Sequence, residues 1–275
     1  MKLLPFWSHA VFGISLAAMA NCALAQPATN YEPQIRQGGK DVIWLPTAQT
    51  LVDRMLDMAK VTSNDYVIDL GSGDGRTVIA AASRGAKALG IEYNPDMVAL
   101  SRRKALEEGI RGNATFVRGD IFKSDFSQAT VVTMFLLPAL NLKLRPTLLR
   151  MKPGTRVVSN SFDMGSWTPD QKVEAPHNCT QYCKAFLWIV PANVQGSWRM
   201  DDRVLELTQT FQMLSGSLSS GNVASPVGNG KLRGYEVSFT AGNTSYTGRV
   251  NGNVIEGTST TAGKQAVWRA TRHKS

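Results

Sequence analysis

Val67-Ile68-Asp69-Leu70-Gly71-Ser72-Gly73-Asp74-Gly75-Arg76 is the stretch that decides the fold. Its first residues favour a β-strand, and its glycines allow a tight turn that side chains would obstruct. The apolar residues after Arg76 predict a helix that packs back on this strand. A strand, a glycine turn and a helix in this order are typical of nucleotide-cofactor sites, where backbone and helix N-terminus meet the ligand. Glu92, at the predicted end of the next strand, is placed to accept hydrogen bonds from two ribose hydroxyls.

The spacing and charge of the glycine loop separate two classes of cofactor. Dinucleotide enzymes use G-x-G-x-x-G with a pyrophosphate over the helix N-terminus, whereas this loop reads G-x-G-x-G. Asp69 precedes the loop and Asp74 lies inside it, and two carboxylates are a poor lining for a pyrophosphate. S-adenosylmethionine has a sulfonium and an ammonium but no phosphate, so the loop favours this cofactor over NAD. The alternative is a tight turn in an unrelated α/β protein.

Length and composition indicate a folded protein with one large domain or a medium and a small one. The chain has 275 residues, of which 43% are hydrophobic and 19% charged, which excludes wholesale disorder. A net charge of +9 is compatible with an acidic partner such as nucleic acid or an anionic membrane surface. The basic residues are dispersed along the chain, however, so we expect no nucleic-acid partner.

The N-terminus has the three parts of a secretory signal. Lys2 is followed by an apolar stretch over 10–20 and by Ala23-Leu24-Ala25, a small-x-small cleavage site. We predict a signal peptide over residues 1–25 with cleavage after Ala25, and a periplasmic or secreted protein. The apolar stretch is too short for a comfortable transmembrane helix, and no other stretch is longer, so we expect no integral membrane segment after cleavage.

Two cysteines, Cys179 and Cys183, remain after the predicted cleavage. An even number of cysteines, close together in an exported chain, predicts a disulfide that closes a small loop. The alternatives are two reduced thiols or a zinc site that includes His177. Because no fourth ligand is evident, we predict no metal.

The composition predicts two domains after an extended lead-in over residues 26–41. Residues 42–192 alternate apolar strands with helices, which indicates a parallel sheet. The first helix follows Thr47 as its N-cap, a loop-like insert follows Phe162, and the run 185–190 is predicted to close the sheet as an antiparallel strand. Residues 193–275 alternate in period two between glycine and asparagine turns, with a hairpin signal at Asn251-Gly252. They predict a small antiparallel all-β barrel or sandwich, with Trp198 and Trp268 in its core.

Four motifs give the chain a family resemblance: Leu45–Thr47, Asp69–Arg76, Gly119–Asp120 and Phe135–Pro138. With them, the chain from about Val42 to Pro191 resembles the class I S-adenosylmethionine-dependent methyltransferases, which have a Rossmann-like seven-stranded sheet. Within this class it is similar to a bacterial and mitochondrial branch of protein-lysine-methyltransferase-like enzymes. The motifs are specific for fold and cofactor and much less so for the substrate.

The resemblance implies a role for each motif residue. Asp69, Gly71 and Gly73 would shape the pocket for the methionine part of S-adenosylmethionine, and Glu92 would hold the ribose. Asp120 would accept a hydrogen bond from the adenine amine. The run from Phe135 to Pro138 would line the methyl-transfer pocket, although a strand end that runs into a helix explains the same residues. Trp44 is predicted either to cover the cofactor or to pack in the core.

The sequence also narrows the reaction. No Asp-Pro-Pro-Tyr or Asn-Pro-Pro-Tyr motif follows the fourth strand, which argues against methylation of adenine or of glutamine amides, and no histidine follows a core strand. The best remaining expectation is N-methylation of a protein amine, lysine above all, and hence a protein substrate. The alternatives are a catalytically idle methyltransferase fold whose β domain does the recognition, and a nicotinamide-dependent oxidoreductase, which the loop spacing disfavours.

Overall fold

The computed structural model describes residue 1 and residues 31–110, 112–175 and 177–273. The chain divides into two compact units, Met1–Tyr31 and Glu32–Ser275, and the second contains every helix and strand described below. The predicted signal peptide lies outside the described residues apart from Met1. Among the helices that the structure describes, none combines the length and apolar character needed to span a membrane.

The first part of the second unit is a seven-stranded sheet with four helices. The helices are α1 Gln49–Met58, α2 Arg76–Ser83, α3 Pro95–Glu107 and α4 Pro138–Leu148. The strands are β1 Tyr66–Leu70, β2 Lys87–Glu92, β3 Ala114–Arg118, β4 Val131–Met134, β5 Arg156–Asn160, β6 Gln171–Glu174 and β7 Lys184–Ile189. Their order in the sheet is β3-β2-β1-β4-β5-β7-β6.

Strands β1 to β5 are parallel, and β7 lies antiparallel to β5, so the predicted parallel sheet and its antiparallel closing strand are both confirmed. The edge strand β6 falls in the segment predicted as a loop. Its four residues, Gln171–Glu174, are mostly polar and exposed, so no apolar alternation marks them as a strand. It forms because the backbone of β7 offers it hydrogen-bond partners.

The sheet order places a crevice beside β1. The chain passes from β1 to β2 and β3 on one side and then returns to β4 on the other, so the helices leave β1 and β4 in opposite directions. Ligands of open α/β sheets bind at such a switch point, outside the carboxyl ends of the strands. Strands β1 and β4 are buried on both faces, which fixes the position of this crevice.

Thr47 does not cap the first helix, and this prediction is wrong. Helix α1 begins at Gln49, and Ala48 stands at the N-cap without a side-chain hydrogen bond. The Thr47 hydroxyl instead accepts a 3.1 Å hydrogen bond from Nδ2 of Asn160, and its carbonyl accepts a 2.7 Å bond from Arg76. Thr47 therefore ties the start of α1 to β5 and α2.

The C-terminal part is an eight-stranded antiparallel barrel, which decides between barrel and sandwich. Its strands are β8 Gly196–Met200, β9 Arg203–Thr210, β10 Met213–Ser220, β11 Val223–Arg233, β12 Glu236–Ala241, β13 Thr244–Asn251, β14 Val254–Thr261 and β15 Lys264–Arg272. The barrel closes where Arg272 of β15 pairs with Trp198 of β8. The predicted hairpin is confirmed, with Gly252 at φ +58° just after Asn251. Trp198 and Trp268 are buried in the barrel core, as predicted.

The barrel packs against the β6–β7 side of the sheet. The ring of Phe211 stacks on Trp167 with 6.1 Å between the centroids, and Nε2 of Gln212 donates a 2.6 Å hydrogen bond to the Thr168 carbonyl. Lys231 of β11 lies 3.3 Å from the largely buried carboxylate of Asp170. The interface thus combines an apolar stack with directed polar contacts.

Candidate active site

A cavity opens at the switch point between β1 and β4. It is lined by the lead-in, the glycine loop, the ends of β2, β3 and β4, and two aromatic residues from later segments. The lining comprises residues 37–47, Met55, Asp69, residues 71–74, Arg76, Thr77, residues 92–94, Met97, residues 119–121, residues 134–137, Leu140, Phe162 and Tyr182. No residue of the barrel is among them.

The glycine loop has the geometry that the sequence predicts. Gly71, Gly73 and Gly75 have φ of +77°, +53° and +83°, a region that strains other residues. A Cβ on Gly73 would lie 2.8 Å from Nε1 of Trp44. Trp44 therefore lines the cavity directly over the loop, and the backbone of Gly73 stays open to a ligand.

Glu92 is fixed by the backbone on both sides of its carboxylate. Its Oε2 accepts a 2.9 Å hydrogen bond from the Gly73 amide, and its Oε1 accepts one of 2.9 Å from the Asn94 amide. Each carboxylate oxygen can accept a further hydrogen bond. Glu92 is thus a pre-oriented acceptor at the cavity, suited to the two hydroxyls of a ribose.

The two acidic residues of the loop differ in their surroundings. Asp74 makes 2.8 Å ion pairs with Arg76 and Lys104. Burial alone would raise the pKa of Asp74, but these hydrogen bonds and charges hold it below its usual range. Because protein cations already neutralise Asp74, Asp69 is the loop carboxylate left for a cationic ligand.

Asp69 lies almost completely buried at the end of β1 and lines the cavity. Burial raises its pKa to about 7, the negative charges of Glu92 and Asp74 raise it further, and a hydrogen bond from Thr133 opposes both. A carboxyl with such a pKa ionises readily when a positive charge arrives beside it. This suits an ammonium group of the ligand.

Asp120 is engaged by a lysine that the sequence did not single out. Its Oδ1 accepts a 3.0 Å hydrogen bond from the Phe122 amide, and its Oδ2 accepts one of 3.0 Å from Nζ of Lys40. The Phe122 amide and Lys40 hold the pKa of Asp120 below its usual range. Lys40 belongs to the predicted lead-in, which turns back on itself through a bridge between Gly38 and Ile43 and lines the cavity.

The predicted methyl-transfer residues separate in the structure. Phe135, Leu136 and Leu137 line the cavity, but Pro138 does not: it is exposed as the first residue of α4. Its predicted pocket role is therefore wrong, because the helix turns its ring away from the β4 end. The rival explanation of Pro138, a helix start after a strand, describes it correctly.

Phe135 instead packs against two aromatic residues that the sequence analysis missed. Its ring centroid lies 6.1 Å from that of Phe162 and 5.3 Å from that of Tyr182, and the last two are 5.8 Å apart. We call these three residues the aromatic wall. Phe162 follows β5 and Tyr182 precedes β7, so only the antiparallel return of β7 brings them together, and no local pattern marks it.

The predicted disulfide between Cys179 and Cys183 is confirmed, with the Cα atoms 5.7 Å apart. Both sulfurs are bonded to each other, which removes the thiol and zinc alternatives for this pair. Within residues 31–110, 112–175 and 177–273, no three His, Cys, Asp or Glu side chains come together as a metal site.

These residues fit S-adenosylmethionine. One end of the cavity presents Asp69 for the ammonium, Glu92 for the ribose and Asp120 for the adenine amine, while the glycine backbone lets the ligand come close. The other end is the aromatic wall. The fold and this site together define a class I S-adenosylmethionine-dependent methyltransferase.

Comparisons with known proteins agree. The family described as "ANTKMT methyltransferase domain" matches residues 69–171. A protein-lysine N-methyltransferase of Saccharolobus islandicus is 43% identical over 136 residues, which are 48% of this chain and 84% of the relative. A human lysine N-methyltransferase named for ATP synthase is 38% identical over 128 residues, 46% of this chain. The match spans only 54% of the human protein.

A solved structure, an RNA methyltransferase from Salinibacter ruber in complex with S-adenosylhomocysteine, is 45% identical. It covers 55% of this chain and 96% of its own, with a TM-score of 0.51. The chain belongs to the class I S-adenosylmethionine-dependent methyltransferases, in their protein-lysine-methyltransferase-like branch.

Proposed function

We propose that this enzyme methylates the side-chain amine of lysine in a protein substrate. The observation that carries the proposal is the aromatic wall at the end of the cavity opposite Asp120, which offers an apolar surface to an aliphatic amine. Support comes from the relatives named as protein-lysine and ATP synthase lysine methyltransferases. The lack of an Asn-Pro-Pro-Tyr type of motif after β4 argues in the same direction.

The chemistry requires mainly alignment. When bound, S-adenosylmethionine supplies an electrophilic methyl group on its sulfonium. Asp69, Glu92 and Asp120 hold its polar groups, and the reacting carbon is thereby aimed at the apolar end of the cavity. Desolvation beside Phe135 and Phe162 lowers the pKa of the incoming lysine, so its ammonium loses a proton to solvent and the amine lone pair forms the new bond.

A second candidate is methylation of RNA. It is favoured by the name of the Salinibacter relative and by the net charge of +9. We place it second because the basic residues are dispersed along the chain.

The first test is calorimetric titration of the folded protein with S-adenosylmethionine, S-adenosylhomocysteine and NAD. We expect heat with the first two and none with NAD. The second test incubates the protein with S-adenosylmethionine labelled in its methyl group and with separate protein and RNA fractions of the source cells. Label on lysine in protein supports the proposal, whereas label in RNA alone would replace it. Cofactor binding without any transfer would favour the idle binding protein.

We further propose that the enzyme acts outside the cytoplasm, in the periplasm or after secretion, because residues 1–25 have the pattern of a signal peptide. This location conflicts with the synthesis of S-adenosylmethionine in the cytoplasm. Fusion of residues 1–30 to a reporter that is active only outside the cytoplasm tests it, with a fusion to residues 26–55 as the control. An inactive first fusion would place the enzyme with its cofactor supply.

A further inference from the structure

The cavity has two chemically different ends. Asp69, Glu92 and Asp120 provide carboxylates at one end, and the aromatic wall of Phe135, Phe162 and Tyr182 forms the other. Of the three rings, those of Phe135 and Phe162 are partly buried, while Tyr182 is 41% exposed. Tyr182 therefore lies where the cavity opens to solvent, on the path of any side chain that enters towards Phe135.

The inner and outer rings of the wall are held by different means. Phe162 is fixed from the core, since the buried Asn141 donates hydrogen bonds of 3.1 and 3.2 Å to the carbonyls of Phe162 and Asp163. Tyr182 has no such support among the described hydrogen bonds. It sits in a short loop with φ of +58°, next to Cys183, and the disulfide closes this loop to Cys179.

The loop is anchored at its two ends. The Thr50 hydroxyl of α1 donates a 3.1 Å hydrogen bond to the His177 carbonyl, and the Ala175 amide donates one of 2.8 Å to the Cys183 carbonyl. Between these anchors, the disulfide is the covalent restraint on the backbone of Tyr182. A left-handed conformation is costly for tyrosine, so an opened loop has reason to leave it.

We propose that the aromatic wall is the subsite for the acceptor side chain, and that the Cys179–Cys183 disulfide positions Tyr182 in it, so acceptor binding depends on the oxidised loop. This inference rests on the proposed function, since the acceptor is an alkylammonium: the lysine side chain and its methylated products. Ring faces attract such cations, most strongly where the cation is partly desolvated. The cysteines act through Tyr182 and are positioning residues.

The probe is butyltrimethylammonium, titrated calorimetrically into the protein with and without saturating S-adenosylhomocysteine. We expect binding to the oxidised protein. Tyr182→Ala should weaken it by about two- to thirtyfold, whereas Tyr182→Phe, which keeps the ring, should stay close to the wild type. S-adenosylhomocysteine affinity should be the same in all three proteins, which separates loss of the wall from loss of the fold.

The disulfide is tested by reduction with a phosphine, which is oxidised to its oxide as the two thiols form. Reduced wild type should bind the probe as weakly as Tyr182→Ala does. The double variant Cys179→Ser with Cys183→Ser should be equally weak and should not respond to the phosphine. Unchanged probe affinity after reduction, or in Tyr182→Ala, overturns the inference, and so does a wild type that binds no probe. Loss of S-adenosylhomocysteine binding alone would instead defeat the proposed function.

Discussion

The hydroxyl of Thr133 donates a 2.6 Å hydrogen bond to Oδ1 of Asp69, across the parallel register in which these two residues of β4 and β1 are paired. The bond satisfies one oxygen of a carboxyl that burial leaves with a pKa of about 7. Asp69 is therefore half ionised near neutral pH, and a ligand that carries a positive charge can shift this balance.

The affinity for S-adenosylhomocysteine should depend on pH. A protonated Asp69 offers the ligand's ammonium no charge, so we expect affinity to fall by up to about tenfold for each pH unit below 7. Calorimetric titration from about pH 5.5 to about pH 7.5 measures this. In Asp69→Asn the affinity should be lower and flat with pH, and a flat profile in the wild type would mean that Asp69 does not face the ammonium.

Asp69→Asn should also stabilise the ligand-free protein at alkaline pH. The folded pKa of Asp69 is raised, so its favourable contribution is complete below the unfolded pKa of 3.8 and is lost as pH rises through about 7. At pH 8 the buried charge costs on the order of 4 kcal/mol, at about 1.4 kcal/mol for each pKa unit. Thermal melts should show a gain at pH 8 that shrinks at pH 5, and none for the exposed Asp201→Asn at either pH.

The ion pair between Asp65 and Arg156 should be a major support of the sheet. Asp65 is buried and also accepts a 2.7 Å hydrogen bond from Thr130, while Arg156 donates 2.7 Å to the Ala59 carbonyl. Arg156→Ala leaves a buried carboxylate unpaired, so we expect a loss of about 3 kcal/mol in the free energy of unfolding. Arg249→Ala, which breaks an exposed pair with Glu236, should cost less than about 1 kcal/mol.

This pair also predicts acid sensitivity. Burial alone would raise the pKa of Asp65, but the hydrogen bonds from Arg156 and Thr130 hold it below its usual value. The stabilisation is therefore present above the unfolded pKa and is lost as pH falls below about 4. Urea titrations at pH 3 and pH 7 should show a smaller pH effect in Arg156→Ala than in wild type, and equal effects would contradict the assignment.

Gly73→Ala should abolish cofactor binding. Its Cβ would meet Trp44 at 2.8 Å, and the position also has φ of +53°. The change therefore pushes Trp44 and the loop apart at the ligand. Gly252→Ala is the matched control: it has φ of +58° in a barrel turn, but its Cβ would meet nothing within 4 Å. Only the first variant should lose binding by calorimetry, while both should lose similar stability from backbone strain.

Glu92→Ala should weaken cofactor binding by about 1.5 to 3 kcal/mol for each ribose hydrogen bond that is lost. The Gly73 amide also loses its acceptor, which loosens the loop. Glu108→Ala, an exposed glutamate at the end of α3, should bind as wild type. An affinity equal to wild type in Glu92→Ala would show that this carboxylate does not contact the ligand.

The parts of the fold that the sequence predicted are those with local patterns. The apolar strands, the glycine turn and the Asn251-Gly252 hairpin each carry their signal within a few residues. Thr47, Pro138 and strand β6 were misjudged because their roles depend on partners far away in sequence: Asn160 for Thr47, and the β7 backbone for β6.

The same division holds for the cavity. Asp69, Glu92, Asp120 and Phe135 stand at strand ends, and parallel strands bring such positions to one edge, so motif reasoning placed all four in the lining. Lys40 and Tyr182 come from irregular segments whose path is set by tertiary contacts. Their positions follow from an ion pair and from a disulfide loop, neither of which has a period to detect.

The pairing of Arg272 with Trp198 has a consequence for synthesis of the chain. Because the last barrel strand completes the first, the barrel cannot close until all of its strands have left the ribosome. The preceding sheet has no such requirement, since every strand in it pairs with segments at or before Ile189. The order of translation therefore lets the catalytic half acquire its structure first, while the Ser-, Thr- and Gly-rich strands that follow wait for their final hydrogen-bond partner.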